Sequence, residues 1–240
     1  ILCSALSGRW CWSSWALSAC AAAGPGNLQK GTASHICEAV LFNMKKLILI
    51  GPVLFAIVLT ALTFIKYDFL LSLGWHPIND PTFDWPSGLA LGRFGWIMTA
   101  TFITSGLIMT LFARRLFLDL KRTPASKLGT TLLTFAGLFL AALAFTTDPT
   151  IRDTPATWHG QLHDLSFVLL GLTLFPAMIV LGFAFRADAS WKNLAVYTWG
   201  TLALAGPAFF IKGAAFYVFL LAILVWNEIA AIRLYSQAEN

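Results

Sequence analysis

Six apolar runs, separated by short polar segments, follow Met44. Each run has close to the ~20 residues with which an α-helix crosses the ~30 Å hydrocarbon core of a bilayer. None shows the strict alternation of a membrane β-strand, and a helix satisfies its own backbone polar groups in lipid. The runs cover residues 47–65, 94–112, 128–145, 165–185, 194–210 and 214–232. The pattern therefore predicts an all-α, polytopic membrane protein with six transmembrane helices.

The composition agrees with this prediction. Hydrophobic residues make up 58% of the 240 residues and charged residues 11%, whereas a soluble domain carries about a quarter charged residues. We therefore expect the lipid bilayer to be the main partner. The formal net charge of +5 is compatible with nucleic acid binding. However, the sequence contains no phosphate loop, dinucleotide fingerprint or nucleic-acid module, so we expect no nucleic acid partner.

The basic residues concentrate on one side of the predicted helices. Ten lie on that side and four on the other, which also carries six aspartates. The ten are Lys45, Lys46, Arg114, Arg115, Lys121, Arg122, Lys127, Arg186, Lys192 and Arg233, and the four are Lys66, Arg93, Arg152 and Lys212. Because Lys and Arg are enriched in cytoplasmic loops, this bias predicts both termini inside (N-in/C-in) in the cytoplasmic (inner) membrane.

The first 43 residues differ in character from the rest. They begin without Met, are rich in Trp, Ser and Cys, and contain all four cysteines of the chain. They do not show the basic and then apolar segments of a signal peptide, whereas Met44 is followed by two lysines and the first apolar run. We expect residues 1–43 to be a non-native or disordered N-terminal extension and residues 44–240 to form the six-helix transmembrane domain.

Two histidines stand four residues apart where the fourth apolar run begins, in the stretch ATWHGQLHDL. The Thr-Pro pair at 154–155 is typical of a helix start, which places His159 and His163 one turn apart on the same face. This spacing can present two imidazoles to one metal ion. Catalytic zinc takes three protein ligands, and Asp148 is a candidate for the third. Gly160 stands where a zinc-protease helix has Glu, so protease chemistry is not supported.

Polar residues that can carry chemistry gather on the predicted outer side. All histidines after Met44 lie there, together with aspartates and a serine. The candidate binding cluster is His76, Asp84, Ser87, Asp148, His159, His163 and Asp164. The alternative interpretation is structural, because histidine and tryptophan suit membrane interfaces and Asp and Ser cap helices. The sequence leaves both interpretations open.

One clear ionisable residue, Glu228, lies within an apolar run. Such residues are treated as functional by default. Glu228 is near the predicted inner end, however, where snorkelling or pairing with Arg233 is expected. No chain of buried acids crosses the predicted bilayer, which argues against a proton-driven transporter.

A family resemblance is carried by the stretch PSGLALGRFGWIMTATFITSGLIMTLFARRL, the segment FTTDP, the helix start HGQLHD and the last run FYVFLLAILVWNEIAAIRL. With these motifs the chain resembles, over residues 44–234, the prokaryotic membrane family catalogued as domain of unknown function 998. The most specific matches are Ser87, Leu89, Leu91, Gly92, Gly95, Trp96, Phe102, Gly106, the Asp148-Pro149 pair and His159. The resemblance implies a six-helix inner-membrane protein and no particular activity. At 211–213 the chain keeps only the basic member of a polar pair that the family carries.

Three functions follow as hypotheses. The first is a multi-pass membrane protein whose outer His/Asp cluster binds a small molecule, a lipid headgroup or a metal. The second is a metal-dependent membrane hydrolase that uses His159, His163 and an aspartate, with zinc as the candidate cofactor. The third is a transporter or a transporter subunit. Whether the protein is an enzyme stays open at this point.

Overall fold

The computed structural model describes residues 32–74, 86–149, 155–211 and 214–237, with residues 32–45 described through their backbone only. Contacts divide the chain into a first unit, residues 1–47, and a second unit, residues 48–240. In the described ranges every regular element is helical, which confirms the all-α fold. The cavity and the contacts below all lie in the second unit.

Seven α-helices and two short 3₁₀ helices make up the described elements. The α-helices are α1 (Thr32–Ile65), α2 (Tyr67–Ser72), α3 (Gly95–Asp119), α4 (Pro124–Ala142), α5 (Trp158–Arg186), α6 (Lys192–Ala205) and α7 (Ala214–Gln237). The 3₁₀ helices are Pro86–Ala90 and Gly206–Phe210. The apolar runs therefore correspond to helices in their predicted order.

Five of the described helical segments are long and apolar enough to cross a membrane. They are Lys46–Ile65, Gly95–Asp119, Pro124–Ala142, Trp158–Arg186 and Ala214–Gln237. The fifth predicted run, residues 194–210, forms the 14-residue helix α6 followed by the 3₁₀ helix. The α-helix ends there because Pro207 has no backbone N–H with which to continue the hydrogen-bond ladder.

Helix α5 begins later than the sequence predicted. Its N-cap is Thr157, whose side chain accepts a hydrogen bond from the backbone N–H of Gly160, and the helix proper begins at Trp158. The Thr-Pro pair was predicted to start it, but Thr154 lies outside the described residues and Pro155 precedes the helix. His159 and His163 still occupy the first two turns.

Hydrogen bonds connect the termini of five helices on one side of the second unit. Trp191 donates from Nε1 to the Asp119 carboxylate at 2.9 Å, and the Lys121 backbone N–H donates to Asp188 at 2.8 Å. The Arg233 guanidinium donates to the backbone carbonyl of Ser190 at 2.6 Å. The C-terminal ends of α3, α5 and α7 therefore lie beside the starts of α4 and α6. This side carries the loops that the sequence predicts to be cytoplasmic.

Candidate functional site

A cavity of about 320 Å³ lies between α1, α3, α5 and α7. A volume of this size falls within the range of small-molecule sites in proteins. Polar side chains line one end of it: Ser87, Thr147, Asp148, His163 and Asp164. We call these five residues the polar rim. Below the rim the walls are almost entirely apolar and aromatic, with Phe55, Phe102, Phe167, Leu220 and Ile223 among them.

His163 is the most buried member of the polar rim, with only 3% of its surface exposed. Its Nδ1 lies 3.0 Å from the Leu143 carbonyl and 2.8 Å from the Phe145 carbonyl. Both carbonyls belong to the end of α4, where the helix leaves acceptors without helical partners. Nδ1 must therefore carry the proton, and in a neutral imidazole Nε2 is then an acceptor. The ring thus joins α5 to α4, and His163 is among the residues that line the cavity.

Asp148 caps helix α5 from outside the helix. One carboxylate oxygen accepts from the Thr157 backbone N–H at 2.9 Å and the other from the Thr157 hydroxyl at 2.7 Å. A carboxylate is favourable here because a helix N-terminus carries partial positive charge. A Cβ on Gly160 would lie 2.1 Å from an Asp148 oxygen. Gly160, which the sequence presented only as a departure from the zinc-protease pattern, therefore makes room for this carboxylate.

His159 is not among the residues that line the cavity. Its Nδ1 lies 2.8 Å from the Thr146 carbonyl and 2.9 Å from the Thr157 hydroxyl oxygen. Its ring packs edge-on against Trp158, with 5.6 Å between ring centroids. The two histidines thus share one helix, as predicted, but each faces backbone carbonyls at the end of α4.

The predicted metal ligands do not form a complete set within the part of the chain that the structure describes. Across residues 32–74, 86–149, 155–211 and 214–237, no three His, Cys, Asp or Glu side chains come together in a way that would hold a metal ion. His76 and Asp84 of the predicted cluster lie outside these ranges. A metal site that includes either of them remains an expectation from the sequence.

Ser87 and Asp164 complete the polar rim. Ser87 is half-buried on the 3₁₀ helix Pro86–Ala90, and Asp164 is exposed on α5. Four members of the predicted cluster, Ser87, Asp148, His163 and Asp164, are therefore among the residues that line the cavity.

Lys66 contacts the 3₁₀ helix Pro86–Ala90, which carries Ser87 of the polar rim. It is buried, and its ammonium donates to the carbonyls of Leu89, at 2.7 Å, and Leu91. The Phe69 ring lies 4.9 Å from the ammonium, within cation–π range. Burial lowers the pKa of Lys66 because the charged form loses hydration. From the sequence, Lys66 was identified only as a basic residue of the outer side. The carbonyls that accept its hydrogen bonds lie more than twenty residues away along the chain, so no local pattern indicates this contact.

Asn227, on α7, also lines the cavity. It is 8% exposed, and its side-chain oxygen is buried without a hydrogen-bond partner among the described residues. Next to it, one Glu228 oxygen is also buried without a described partner. Snorkelling or pairing with Arg233 was expected for Glu228; in the structure the Arg233 guanidinium donates to the Ser190 carbonyl. Asn227 was not among the predicted site residues, although an amide within an apolar run was a visible signal.

No curated protein and no solved structure matches the chain. The family model described as Protein of unknown function (DUF998) matches residues 49–233. This match includes the cavity-lining parts of α1, α3, α5 and α7, and it confirms the resemblance noted in the sequence. The chain therefore belongs to this family of proteins of unknown function.

Proposed function

We propose that the cavity binds one amphipathic small molecule, such as a lipid, with its polar end at the rim and its apolar chain between the helices. The observation that carries this proposal is the polarity gradient of the lining, which runs from the polar rim to apolar walls. Apolar walls with a few placed polar groups are typical of small-molecule sites.

The charge of the rim favours a neutral or cationic polar end. Asp148 and Asp164 contribute carboxylates, and no Lys or Arg is found among the described residues that line the cavity. An anionic headgroup would meet like charge in surroundings of reduced dielectric, where charge repulsion is stronger than in water. A long-chain amine or alcohol fits these carboxylates better.

We propose further that the chain crosses the cytoplasmic membrane six times, with both termini inside and the polar rim outside. Helix α6 and its 3₁₀ extension contain 14 and 5 residues. At ~1.5 Å and ~2.0 Å per residue they extend ~31 Å, close to the ~30 Å hydrocarbon core. The shared end of α3, α5 and α7 also carries Lys121, Arg122 and Arg233, in accordance with the enrichment of basic residues in cytoplasmic loops.

The other two functions that the sequence left open receive less support from the described contacts. Metal-dependent hydrolysis requires several ligands around one ion, whereas no three His, Cys, Asp or Glu side chains among the described residues come together to hold one. Transport of an ion requires a polar path, whereas the cavity walls below the rim are largely apolar. Binding of an amphiphile uses these walls directly.

A cavity-blocking substitution tests the proposal. Leu220→Trp adds an indole at a lining position, and Leu221→Trp adds the same group at a neighbouring position that is 59% exposed. With purified protein in detergent and hexadecylamine as the probe, native mass spectrometry should detect one bound amine on the wild type and on Leu221→Trp. Leu220→Trp should bind at least about tenfold more weakly, because the indole occupies the space of the chain.

Thermal unfolding of both variants serves as the control for folding. Equal amine binding by folded Leu220→Trp and Leu221→Trp would show that the cavity is not the binding site. Lack of amine binding by the wild type would also reject the proposal.

A further inference from the structure

Asn227 is a polar group at the apolar end of the cavity, and the lining around it does not satisfy it. Its neighbours along α7 in the cavity wall are Ile223 and Leu224, and Ile108 and Met109 line the cavity from α3. Apart from the rim, Ser105 is the other polar side chain among the lining residues. A buried amide without a hydrogen bond is costly, so an occupant that forms a hydrogen bond with the Asn227 amide is favoured over one that does not.

We propose that the Asn227 amide recognises a hydrogen-bonding group at the far end of the ligand's apolar chain. This inference rests on the proposed function and names the ligand class more closely. The ligand is a chain with a neutral or cationic polar group at the rim and a hydroxyl or N–H group at its other end. A plain alkyl chain fills the same walls but gives the Asn227 amide no hydrogen-bond partner.

The helical geometry sets the length of this ligand. Phe167 follows His163 by one helical turn, and its ring centroid lies 5.9 Å from that of Phe216 on α7. Asn227 is eleven residues beyond Phe216. At ~1.5 Å per residue, the rim at His163 and the Asn227 amide are separated by ~22 Å along the helix axes. An extended chain of about sixteen carbons covers a comparable length.

A single water molecule is a poorer partner for the Asn227 amide than a hydroxyl group on the ligand. A buried water typically needs two to four polar partners. The aliphatic side chains of Ile108, Met109, Ile223 and Leu224 offer none. A hydroxyl that arrives on an alkyl chain brings its apolar remainder into these walls as well.

A matched pair of probes tests the inference. Hexadecylamine and its ω-hydroxy analogue, 16-aminohexadecan-1-ol, differ only at the end predicted to reach Asn227. The wild type should bind the hydroxylated amine about fivefold more tightly, as one net hydrogen bond in a buried site allows. In Asn227→Leu, which keeps a similar volume, this preference should disappear or reverse. Asn193→Leu, at an exposed position on α6, should retain it.

The outcomes separate this inference from the proposed function. Equal binding of the two amines to the wild type, or a preference retained in Asn227→Leu, would overturn the role of Asn227 and leave the amphiphile site intact. Failure of both amines to bind the wild type would overturn both proposals. If Asn227→Leu does not fold, the comparison of the two amines on the wild type still tests whether the far end of the ligand is recognised.

Discussion

Asp148, Thr157 and Gly160 form a small unit that fixes the rim where α5 begins. Thr157 engages both carboxylate oxygens of Asp148, and Gly160 donates its backbone N–H to the Thr157 hydroxyl at 3.1 Å. The carboxylate lies where a side chain at residue 160 would stand. The position of Asp148 at the cavity mouth therefore depends on a glycine nearby.

Gly160→Ala should destabilise the protein, although alanine is the better helix former. The new Cβ would lie 2.1 Å from an Asp148 oxygen, so the carboxylate must move and its bonds to Thr157 weaken. We expect a loss of about 1–3 kcal/mol in the free energy of unfolding, measured by reversible unfolding in detergent.

Gly200→Ala is the matched control for this prediction. Nothing lies within 4 Å of a Cβ at Gly200 on α6. Alanine is favoured over glycine in helices by roughly 1 kcal/mol, so this variant should be as stable as the wild type or more so. Equal stability changes in the two variants would contradict the role of Gly160.

Helices α3 and α4 pack through a close approach of their backbones. A Cβ on Gly106 would lie 2.4 Å from the Gly137 carbonyl oxygen. Small residues permit such contacts between helices in membranes, where dispersion and packing drive association. This contact fixes α3, and with it the cavity-lining residues Met98 and Phe102.

Gly106→Val should separate α3 from α4 and lower the thermal unfolding midpoint strongly. Overpacking of this kind costs typically 1–3 kcal/mol and occasionally more, and here the obstacle is backbone, which has little freedom to move. Leu107→Val, at the next residue and 51% exposed, should change the midpoint far less. A similar shift in both variants would argue against a close helix contact.

The helices were predicted well because each apolar run is a local property of the sequence that favours a lipid environment. The fifth run was predicted less well, since Pro207 interrupts hydrogen bonding within an otherwise apolar segment. The start of α5 was misplaced because its cap depends on Asp148, nine residues before Thr157. Such contacts between distant residues leave no local pattern.

The candidate site was predictable in part for the same reason. His163, Asp148, Ser87 and Asp164 were identified because polar residues near apolar runs stand out in the sequence. The separation of His159 from the cavity follows from carbonyl positions at the end of α4, which spacing along the chain cannot reveal. Asn227 was visible as an amide within an apolar run, but its unpartnered oxygen and its place in the cavity wall appear only in the structure.

Within the second unit, we expect a site that is open at the outer face of the membrane and closed by apolar walls within it. Large apolar side chains such as Phe64, Leu204 and Val218 are exposed, as expected for surfaces that face lipid. The polar rim then offers the entrance for the polar end of a ligand, while the chain follows the helices.

Labelling of introduced cysteines from one side of the membrane tests whether the polar rim faces the outside and admits the amine. In a background with Cys3, Cys11, Cys20 and Cys37 replaced by Ser, Thr147→Cys marks the polar rim and Ala189→Cys marks the loop between α5 and α6. A membrane-impermeant maleimide should label residue 147 in intact cells, more slowly when hexadecylamine is present, and residue 189 only after permeabilisation. Labelling of residue 147 only after permeabilisation, or at a rate that the amine does not change, would contradict the account.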